Sequence, residues 1–328
     1  MKYPFTRLRR SRQAAWSRGL THEHVLTVND LIYPMFVTTG ESVRTPIEHM
    51  PGCYRLSMDE AVKEALLVES LGIGAIALFP CVAPELKDEL GSEALNPNNL
   101  MCQTLGMMKD AGVTLGLIAD VALDPYTTHG HDGVLSGLKV DNDRTVTALV
   151  KQALVLSEAG ADVVAPSDMQ DGRIKAIRVA LEAAGYQDTL ILAYSAKYAS
   201  ALYSPFRGAI GSQQKTPIDK STYQMQPANA KEALLEVSLD IAEGADWVMV
   251  KPGSWYLDIV QQIAANQQVP VMAYQVSGEY AMLTHLATIA GEPIEPLLYE
   301  SLLAFKRAGA TAILTYGALH MARHLNAS

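Results

Sequence analysis

Two lysines, each at the end of an apolar run, are the residues of this sequence whose placement most clearly suggests chemistry. In ADWVMVKPG, residues 245–253, apolar residues lead up to Lys251, and Pro252 and Gly253 follow it. This pattern is typical of a short buried strand that the Pro-Gly pair terminates. A lysine rarely lies inside a protein, because burying an ammonium is costly unless it is paired or loses its proton. A neutral lysine amine is a nucleophile.

The second lysine has the same setting, since TLILAYSAK, residues 189–197, also closes on a lysine. Taken alone, Lys251 could be a strand-end residue whose ammonium reaches water. If Lys251 and Lys197 converge on one apolar site, each lowers the other's pKa by charge repulsion, in addition to the effect of desolvation. Either amine could then attack a carbonyl and form an imine. One such lysine would indicate a class I aldolase, whereas two indicate two carbonyl substrates, or two halves of one reaction, held covalently at once.

The elements that could position these lysines are strand-length apolar runs, which recur eight times, each followed by a helical segment. The runs are rich in Val, Ile, Leu and Ala, as parallel strands covered on both faces are. Strand followed by helix, eight times, predicts an α/β protein with a (β/α)₈ barrel. A doubly wound open sheet is the alternative, although no GxGxxG follows any run. The runs are LIYPMFV (31–37), GAIALFP (74–80), TLGLIADVAL (114–123), ADVVAPS (161–167), TLILAYSAK (189–197), ADWVMVK (245–251), VPVMAYQVS (269–277) and ATAILTYG (310–317).

We divide the chain into an N-terminal arm, residues 1–30, and a catalytic barrel, residues 31–328. The 328 residues exceed a typical barrel of about 250 residues because of the arm and one long insertion. That insertion, at about 205–229, is rich in Gly, Gln, Ser and Pro and lacks periodicity, which predicts an active-site lid. In the first helix after the arm, Ser57 is the expected N-cap with Glu60 in a capping box, and Gly72 is the expected stop.

Composition limits the classes of function. Hydrophobic residues make up 49% of the chain and charged residues 19%, as in a soluble globular protein, and neither a membrane span nor a secretory leader is visible. We therefore expect a cytoplasmic protein.

The net charge of −9 argues against nucleic-acid partners, and the basic, aromatic arm is expected to dock on another subunit. The three cysteines, Cys53, Cys81 and Cys102, form no CxxC pair, so neither a structural zinc site nor a disulfide framework is indicated.

Polar side chains recur where the predicted strands end, which is where a barrel carries its chemistry. One loop there, DPYTTHGHDG at residues 124–133, contains His129 and His131 in an HxH pattern. Such a pair supplies two zinc ligands in metal-dependent barrel hydrolases, so hydrolysis is an alternative function. If the loop binds a metal, its aspartates favour Mg²⁺ over zinc. The polar residues at the strand ends are Asp120, Asp124, Ser167, Asp168, Lys197, Lys251, Ser277 and Tyr316.

Over essentially its whole length, the sequence resembles the delta-aminolevulinic acid dehydratase family, also called porphobilinogen synthases. The motifs that carry the resemblance are LIYPMFV, LFP, GSEALNP, IADVALDPYTTHGHDG, APSDMQDGR, AYSAKYASALYSPFR, YQMQPAN, EGADWVMVKPG, YQVSGEYAML and FKRAGATAILTY. The resemblance implies a (β/α)₈ barrel and a lyase that condenses two molecules of 5-aminolevulinate into porphobilinogen, with loss of two waters, for haem, chlorophyll or corrin synthesis. It also implies a homo-octamer in which the arm embraces a neighbouring barrel, with interchange to hexamers in some members.

The resemblance also implies roles for single residues. By their positions in the motifs, Lys251 forms a Schiff base with the substrate that becomes the propionate half, and Lys197 with the substrate that becomes the acetate half. Asp120 is implied to handle protons near the reacting amine, with Ser167 close by. The residues implied to bind substrate carboxylates are Ser277 and Tyr316 for the first substrate, and Arg207, Lys220 and Gln224 for the second.

The sequence departs from the family pattern in its metal loop. Zinc-using members have three cysteines where this chain has Ala122, Asp124 and Asp132, so a tetrahedral thiolate site cannot form. The resemblance is therefore to the zinc-independent branch, whose members bind an activating, allosteric Mg²⁺ outside the active site. Glu236 matches the glutamate that binds this ion, although its sequence position also suits an exposed helix residue. We expect no catalytic zinc and no organic cofactor, and leave open whether the two aspartates hold an ion.

The sequence also departs from the family pattern at two single positions. Lys220 stands where many members have arginine, which replaces a planar fork by a point charge. Gly317 stands where an aromatic residue is usual, so looser packing is expected behind Tyr316.

A single-lysine aldolase acting on a phosphorylated sugar is one alternative function, but no Gly-rich phosphate loop follows the last two strands. A non-catalytic binding or assembly module is the other, and the intact Lys197 and Lys251 argue against it.

Overall fold

Eight parallel strands close into a barrel in the part of the chain that the structure, a computed structural model, describes: residues 2–211 and 218–327. Each strand pairs with its neighbours in chain order, and the last pairs with the first through Ile313 and Leu31. The predicted (β/α)₈ barrel is confirmed, and the open sheet is wrong. The strands are β1 (Leu31–Thr38), β2 (Ala75–Cys81), β3 (Gly116–Val121), β4 (Val163–Pro166), β5 (Leu190–Lys197), β6 (Trp247–Lys251), β7 (Val271–Gln275) and β8 (Ala312–Thr315).

Helices cover the outside of the barrel, and at least one follows each strand. The first of them after the arm has Ser57 at its N-cap and is followed by Gly72, with φ of 83°, as predicted. The capping box with Glu60 does not form: the Ser57 hydroxyl accepts from the Val43 N–H over 2.9 Å and donates to Asp59. Within the described ranges, no helix combines the length and apolar character needed to cross a membrane. The helices are α1 (Ala15–Leu20), α2 (Met58–Ser70), α3 (Leu100–Asp110), α4 (Asn142–Glu158), α5 (Arg173–Ala184), α6 (Ser204–Ile210), α7 (Lys231–Glu243), α8 (Leu257–Asn266), α9 (Ser277–Ala290), α10 (Ile294–Ala308) and α11 (Ala318–Ala327).

Apolar side chains pack in two layers, one inside the barrel and one between the strands and the helices. On β3, for example, Ile118 belongs to the inner layer, whereas Leu117 and Ala119 belong to the outer one. This alternation follows from the two-residue period of a strand. As a result, Asp120 on β3 and Lys251 on β6 occupy the inner positions nearest the carboxyl ends of their strands. Both polar side chains therefore point into the opening of the barrel.

Strand β5 contains one extra residue relative to β6. Over the two-residue step from Val248 to Val250, the partner residue on β5 advances by three. A β-bulge of this kind re-aims the side chains that follow it. As a result Lys197, rather than Ala196, lies opposite Lys251 at the carboxyl ends of the strands.

The N-terminal arm leaves most of its large apolar side chains exposed. Its regular elements within the described residues are a 3₁₀ helix at Leu8–Arg12, the short helix α1 and a 3₁₀ helix at Val28–Asp30. An apolar segment with this much exposure has the surface character of a contact with another molecule. The side chains concerned, each at least 71% exposed, are Tyr3, Phe5, Leu8, Trp16 and Leu20.

The segment predicted as a lid, residues 205–229, is partly helical. Helix α6 occupies its beginning, with a proline in its first turn and Gly211, at φ of 65°, after its end. The prediction also covers residues 212–217, which lie outside the described residues. The later part of the segment returns to the barrel, where the Met225 N–H donates to the Lys197 carbonyl over 3.0 Å.

Candidate active site

The two lysines lie side by side at the carboxyl ends of β5 and β6. Lys251 and Lys197 are register partners on these parallel strands and are only 6% and 7% exposed. Their Nζ atoms lie 5.0 Å and 6.0 Å, respectively, from the centre of the same ring, that of Tyr194. The predicted convergence of the lysines is confirmed. The alternative, in which the Lys251 ammonium reaches water, does not fit its burial.

Aromatic rings surround the amine of Lys251. Besides the Tyr194 ring, the ring centres of Tyr274, Phe206 and Tyr203 lie 4.7, 5.1 and 5.4 Å from its Nζ atom. Burial, reinforced by the charge of Lys197, lowers the pKa of Lys251 from 10.5 to about 7. Near neutral pH a substantial fraction of this lysine is therefore the neutral amine, which is the form that attacks a carbonyl.

Lys197 has polar partners instead. Its amine donates to the backbone carbonyl of Ser167, and its Nζ atom lies 3.5 Å from Oδ2 of Asp132. The other carboxylate oxygen of Asp132 accepts a hydrogen bond of 2.9 Å from the Leu123 N–H. Asp132 stands at one of the three positions where zinc-using members of the family that the sequence resembles have a cysteine ligand. In this chain its carboxylate is the counter-charge of Lys197.

Asp120 contributes a carboxyl group that is buried within the electrostatic reach of both lysines. Burial raises its pKa to about 7, and Lys251 is the strongest of the charges that oppose this rise. Its Oδ1 atom is buried and has no hydrogen-bond partner among the described residues. A carboxyl group with a pKa near 7 can both give and take a proton at neutral pH. The role in proton handling predicted for Asp120 therefore has a physical basis.

Arg207, Lys220 and Gln224 line one cavity of about 430 Å³ beside the end of β5. Burial lowers the pKa of Lys220, and the charges of Lys197 and Arg207 act in the same direction. The Gln224 side chain is buried, with its Oε1 atom unpaired among the described residues. Two cations beside an amide are suited to hold a carboxylate. The structure thus brings together the three residues predicted to bind the second substrate.

Ser277 and Tyr316 lie on the other side of Lys251, at the ends of β7 and β8. The Ser277 hydroxyl accepts from the Phe206 N–H over 3.1 Å and donates to the Leu202 carbonyl over 3.3 Å. Ser277 is the first residue of α9 and also contacts α6, in the segment predicted as a lid. The Tyr316 and Tyr274 hydroxyls lie 2.8 Å apart, so the phenol of Tyr316 joins the aromatic surroundings of Lys251.

The packing behind Tyr316 is tight, which corrects one expectation. A Cβ atom at Gly317 would lie only 2.4 Å from Leu298 Cδ2 on α10. Tyr316 is itself 4% exposed and stacks on Phe36, with ring centres 5.9 Å apart. The predicted loosening at this position is wrong, because Leu298 fills the space that a side chain at Gly317 would need.

The loop with the HxH pattern makes contacts within the protein instead of forming a metal-ligand cluster. Nδ1 of His131 lies 3.1 Å from the hydroxyl of Tyr223, in the segment predicted as a lid, and burial lowers the pKa of His131 to about 4. Nε2 of His129 lies 3.2 Å from the Glu89 carbonyl oxygen. Across residues 2–211 and 218–327, no group of three or more His, Cys, Asp or Glu side chains could hold a metal ion. Nothing in this geometry favours a metal-dependent hydrolase. Asp124 is half-buried in the same loop.

Glu236 lies apart from the lysines, on α7, where it lines a separate cavity of about 620 Å³. Asp171 and Glu232 line the same cavity. Burial raises the pKa of Glu236, and the charge of Asp240 raises it further. The cavity therefore concentrates negative charge with few cations to balance it, which is a suitable setting for a hard cation.

Sequence reasoning missed two groups of residues around the site. The rings of Tyr194 and Tyr274 occupy inner strand positions next to the polar ones, so the two-residue period could have identified them. No sequence pattern could have identified Arg173. Its buried guanidinium nitrogens lie 3.4 Å from a carboxylate oxygen of Asp168 and 3.2 Å from one of Asp240, and these two aspartates are distant in the sequence. Burial raises the pKa of Asp168 to about 7 despite this partner. This buried cluster adjoins Ser167, which contacts Lys197.

Comparison with known proteins identifies the family of the chain. The sequence matches the model of the delta-aminolevulinic acid dehydratase family over residues 5–324. The chain belongs to that family. It is 53% identical to the delta-aminolevulinic acid dehydratase of Bradyrhizobium diazoefficiens, over 97% of this chain and 90% of the relative. It is 48% identical to the enzyme of Methanothermus sociabilis, over 96% and 97% of the two chains.

A solved structure agrees with this assignment. The chain superimposes with a TM-score of 0.95, at 46% identity, on the delta-aminolevulinic acid dehydratase (porphobilinogen synthase) of Toxoplasma gondii, whose crystal structure contains the reaction product porphobilinogen. The match covers 97% of this chain and 91% of that one. The family comprises lyases of class EC 4.2.1.24 that act in porphyrin biosynthesis. The resemblance stated from the sequence is confirmed at the level of family, fold and reaction.

Proposed function

We propose that Lys251 and Lys197 each form a Schiff base with one molecule of 5-aminolevulinate, and that the enzyme joins the two into porphobilinogen. The observation that carries this proposal is the pairing of the two lysines in register, with both amines against one tyrosine ring. Each imine formation releases one water, which accounts for the two waters lost. Each lysine leaves again as the carbon–carbon and carbon–nitrogen bonds form between the substrates.

The geometry supports catalysis mainly through orientation. Covalent attachment to adjacent strands converts an encounter of two substrates into a reaction between neighbouring groups, which can contribute about 7–11 kcal/mol to lowering a barrier. Lys251 supplies a neutral amine because burial lowers its pKa. Lys197 has the carboxylate of Asp132 beside it to accept a proton. Asp120 is placed to move protons during bond formation, since its pKa lies close to neutral pH.

Carboxylate binding fixes the direction in which each substrate enters. We assign the carboxylate of the Lys197 substrate to the cavity of Arg207, Lys220 and Gln224, where two cations converge. We assign the carboxylate of the Lys251 substrate to Ser277 and Tyr316. The Ser277 hydroxyl bonds the backbone of α6 and of the segment before it, so a carboxylate bound there would contact the same hydroxyl that supports the lid.

Two assays test this proposal. Incubation with 5-aminolevulinate should yield a pyrrole, detected by a colour reagent, and borohydride should add substrate mass to the peptide that contains Lys251. A single-lysine aldolase would label one lysine without forming a pyrrole, and a non-catalytic barrel would do neither. Absence of any labelled lysine in an enzyme that turns over would contradict the Schiff-base assignment.

The family is metal-dependent, and we propose that the metal of this chain is Mg²⁺ at the cavity of Glu236. The donors fit this ion, because Mg²⁺ takes one or two carboxylates and keeps several waters. When bound there, the ion would balance the charge of Glu236 and of the nearby Asp171 and Glu232, away from the lysines. The expected effect is activation without a part in the bond-forming steps.

Substitution of Glu236 tests this assignment. Glu236→Ala should lose most of the stimulation by Mg²⁺ while retaining basal turnover. Glu243→Ala, at the end of the same helix but outside the cavity, is the matched control and should respond like the parent enzyme. An unchanged response of the Glu236 variant would place the ion elsewhere.

Zinc does not fit the loop of Ala122, Asp124 and Asp132. The alanine has no donor atom, and the carboxylate of Asp132 already pairs with Lys197. Thiolates, which dominate structural and many catalytic zinc sites, are missing from all three positions. Treatment with a zinc-selective chelator should leave turnover unchanged; a loss that Zn²⁺ restores would contradict this account.

We further propose that the enzyme is a cytoplasmic homo-octamer in which the arm, residues 1–30, docks on a neighbouring barrel. Support comes from the exposed apolar side chains of the arm, among them Phe5 and Trp16. Removal of residues 1–24 should reduce the sedimenting mass of the assembly while leaving the barrel folded. A truncated enzyme of unchanged assembly would contradict the role of the arm.

A further inference from the structure

Glu279 is a buried carboxylate near the active site that the proposed reaction does not use. It is the third residue of α9, 2% exposed, and follows Ser277 by two positions. Its Oε2 atom accepts from the Val276 N–H over 2.7 Å, which caps its own helix. Its Oε1 atom accepts from the Ser254 N–H, also over 2.7 Å. The second contact is not part of helix capping, because Ser254 belongs to the loop after β6.

The contact with Ser254 places Glu279 between the two loops that serve one substrate. Ser254 follows Lys251 by three residues, and Val276 immediately precedes Ser277. The two oxygens of one carboxylate therefore bond the backbone of the loop that follows the amine and the backbone of the loop that carries the hydroxyl. Charge-assisted bonds of this kind are shorter and stronger than neutral ones.

The surrounding backbone leaves little freedom to either loop. A Cβ atom at Gly253 would lie 2.3 Å from a ring atom of Phe305 and 3.0 Å from the Tyr274 carbonyl. One at Gly278 would lie 2.6 Å from the Leu202 carbonyl. Both glycines are therefore required for close approach, and the carboxylate of Glu279 lies where these tightly packed segments meet. Burial raises the pKa of Glu279 to about 7, against the opposing effect of backbone N–H groups that include those of Gly253 and Val276.

We propose that Glu279 is a positioning residue that sets the distance between the amine of Lys251 and the carboxylate-binding hydroxyl of Ser277. The proposal rests on the proposed function, in which these two groups hold the two ends of one keto acid. Glu279 does not touch the substrate. It matches the spacing of the site to a chain in which a ketone and a carboxylate are separated by two methylene groups.

The test compares two small ketones that differ only in the carboxylate. Borohydride trapping at the Lys251 peptide is measured with 4-oxopentanoate and with 2-pentanone, which has the same carbon chain without the acid. In the parent enzyme the keto acid should react faster, because its carboxylate binds while the amine attacks. In Glu279→Gln, whose amide can accept from only one of the two N–H groups, this advantage should fall roughly tenfold to a hundredfold, the effect of a misplacement of about 1 Å.

Glu64→Gln is the matched control. Glu64 is a buried glutamate on α2, 4% exposed, that bonds the Tyr33 hydroxyl and the Arg44 guanidinium on the outer side of the barrel. Its substitution should lower stability without changing the ratio of the two trapping rates. If Glu279→Gln does not fold, Glu279→Asp is used, because aspartate keeps the charge but is too short to bond both loops.

The outcomes separate the two levels of the proposal. A ratio that is the same in the parent enzyme and in a folded Glu279 variant would overturn the positioning role, even where the variant is less stable. A parent enzyme in which Lys251 is not labelled by the keto acid would overturn the proposed function itself. A reduced ratio in Glu279→Gln together with an unchanged ratio in Glu64→Gln is the result we expect.

Discussion

The surroundings of Lys251 and of Lys197 differ sharply, although the two lysines are register partners on adjacent strands. Four aromatic rings lie within 5.4 Å of the Lys251 amine, and burial lowers its pKa to about 7. The Lys197 amine instead contacts a carbonyl and the carboxylate of Asp132. If both lysines form Schiff bases, as we propose, the difference teaches that two lysines can be prepared for the same covalent chemistry in two ways. One loses its proton by desolvation, and the other has an acceptor for it.

The largest expected effects come from replacing either lysine, and the two replacements should differ in how much they lower the stability of the fold. Lys251→Met and Lys197→Met should both abolish pyrrole formation, since each removes a covalent attachment. Lys197→Met should also destabilise the fold by about 3 kcal/mol, because it leaves Asp132 buried without its counter-charge. Lys251→Met should not, since methionine suits an aromatic pocket. Chemical unfolding at fixed protein concentration measures the difference, and equal losses of stability would contradict it.

The stability of Lys251→Met should also depend on pH in a specific direction. In the parent, Lys251 has a folded-state pKa of about 7, below its ordinary 10.5. The unfolded chain therefore binds more protons between these values, so this lysine destabilises the fold fully below pH 7 and progressively less toward pH 10.5. The variant should gain stability over the parent at pH 6, and the gain should shrink as the pH rises. A gain that grows with pH would contradict the assigned pKa.

Asp120→Asn should have the next largest effect. Removal of a group that transfers protons should lower kcat by roughly 10²- to 10⁴-fold. Because the Asp120 charge favours the ammonium form of Lys251, its loss should also move the midpoint of trapping at Lys251 to lower pH. Lys251 should still be labelled by 4-oxopentanoate. A midpoint that moves to higher pH would mean that the two groups are not coupled as described.

Asp132→Asn should have a smaller and more selective effect. Asparagine can still accept from the Leu123 N–H, but it offers Lys197 no negative charge and no basic oxygen. We expect borohydride trapping at Lys197 to slow by about tenfold to a hundredfold, because its amine loses a positioned proton acceptor, whereas trapping at Lys251 should change much less. Mass analysis of the two lysine peptides in one sample gives both rates. Equal slowing at both lysines would remove the distinction drawn between them.

Much of this architecture could be predicted from the sequence. The eight strand-length runs matched the eight barrel strands, because a parallel strand covered on both faces is apolar almost throughout. The inner position of Lys251 could be expected from the two-residue period of β6. The lysine pair was visible as two lysines at strand ends.

The alignment of the lysines could not be predicted in this way. It depends on the bulge in β5, which replaces Ala196 by Lys197 opposite Lys251, and no residue type marks that bulge. Contacts between distant segments were equally hidden: Glu279 reaches Ser254 across 25 positions of the chain. The tight contact of Gly317 with Leu298 was missed because the sequence shows an absent side chain but not what fills its place.

The most direct test of the central claim is the pH dependence of trapping at Lys251. The rate at which 4-oxopentanoate and borohydride label the Lys251 peptide should rise with pH and level off with a midpoint near 7, because the reactive form is the neutral amine. A rate that continues to rise toward pH 10 would show an ordinary lysine. It would contradict the view that burial among aromatic rings prepares this residue for the reaction.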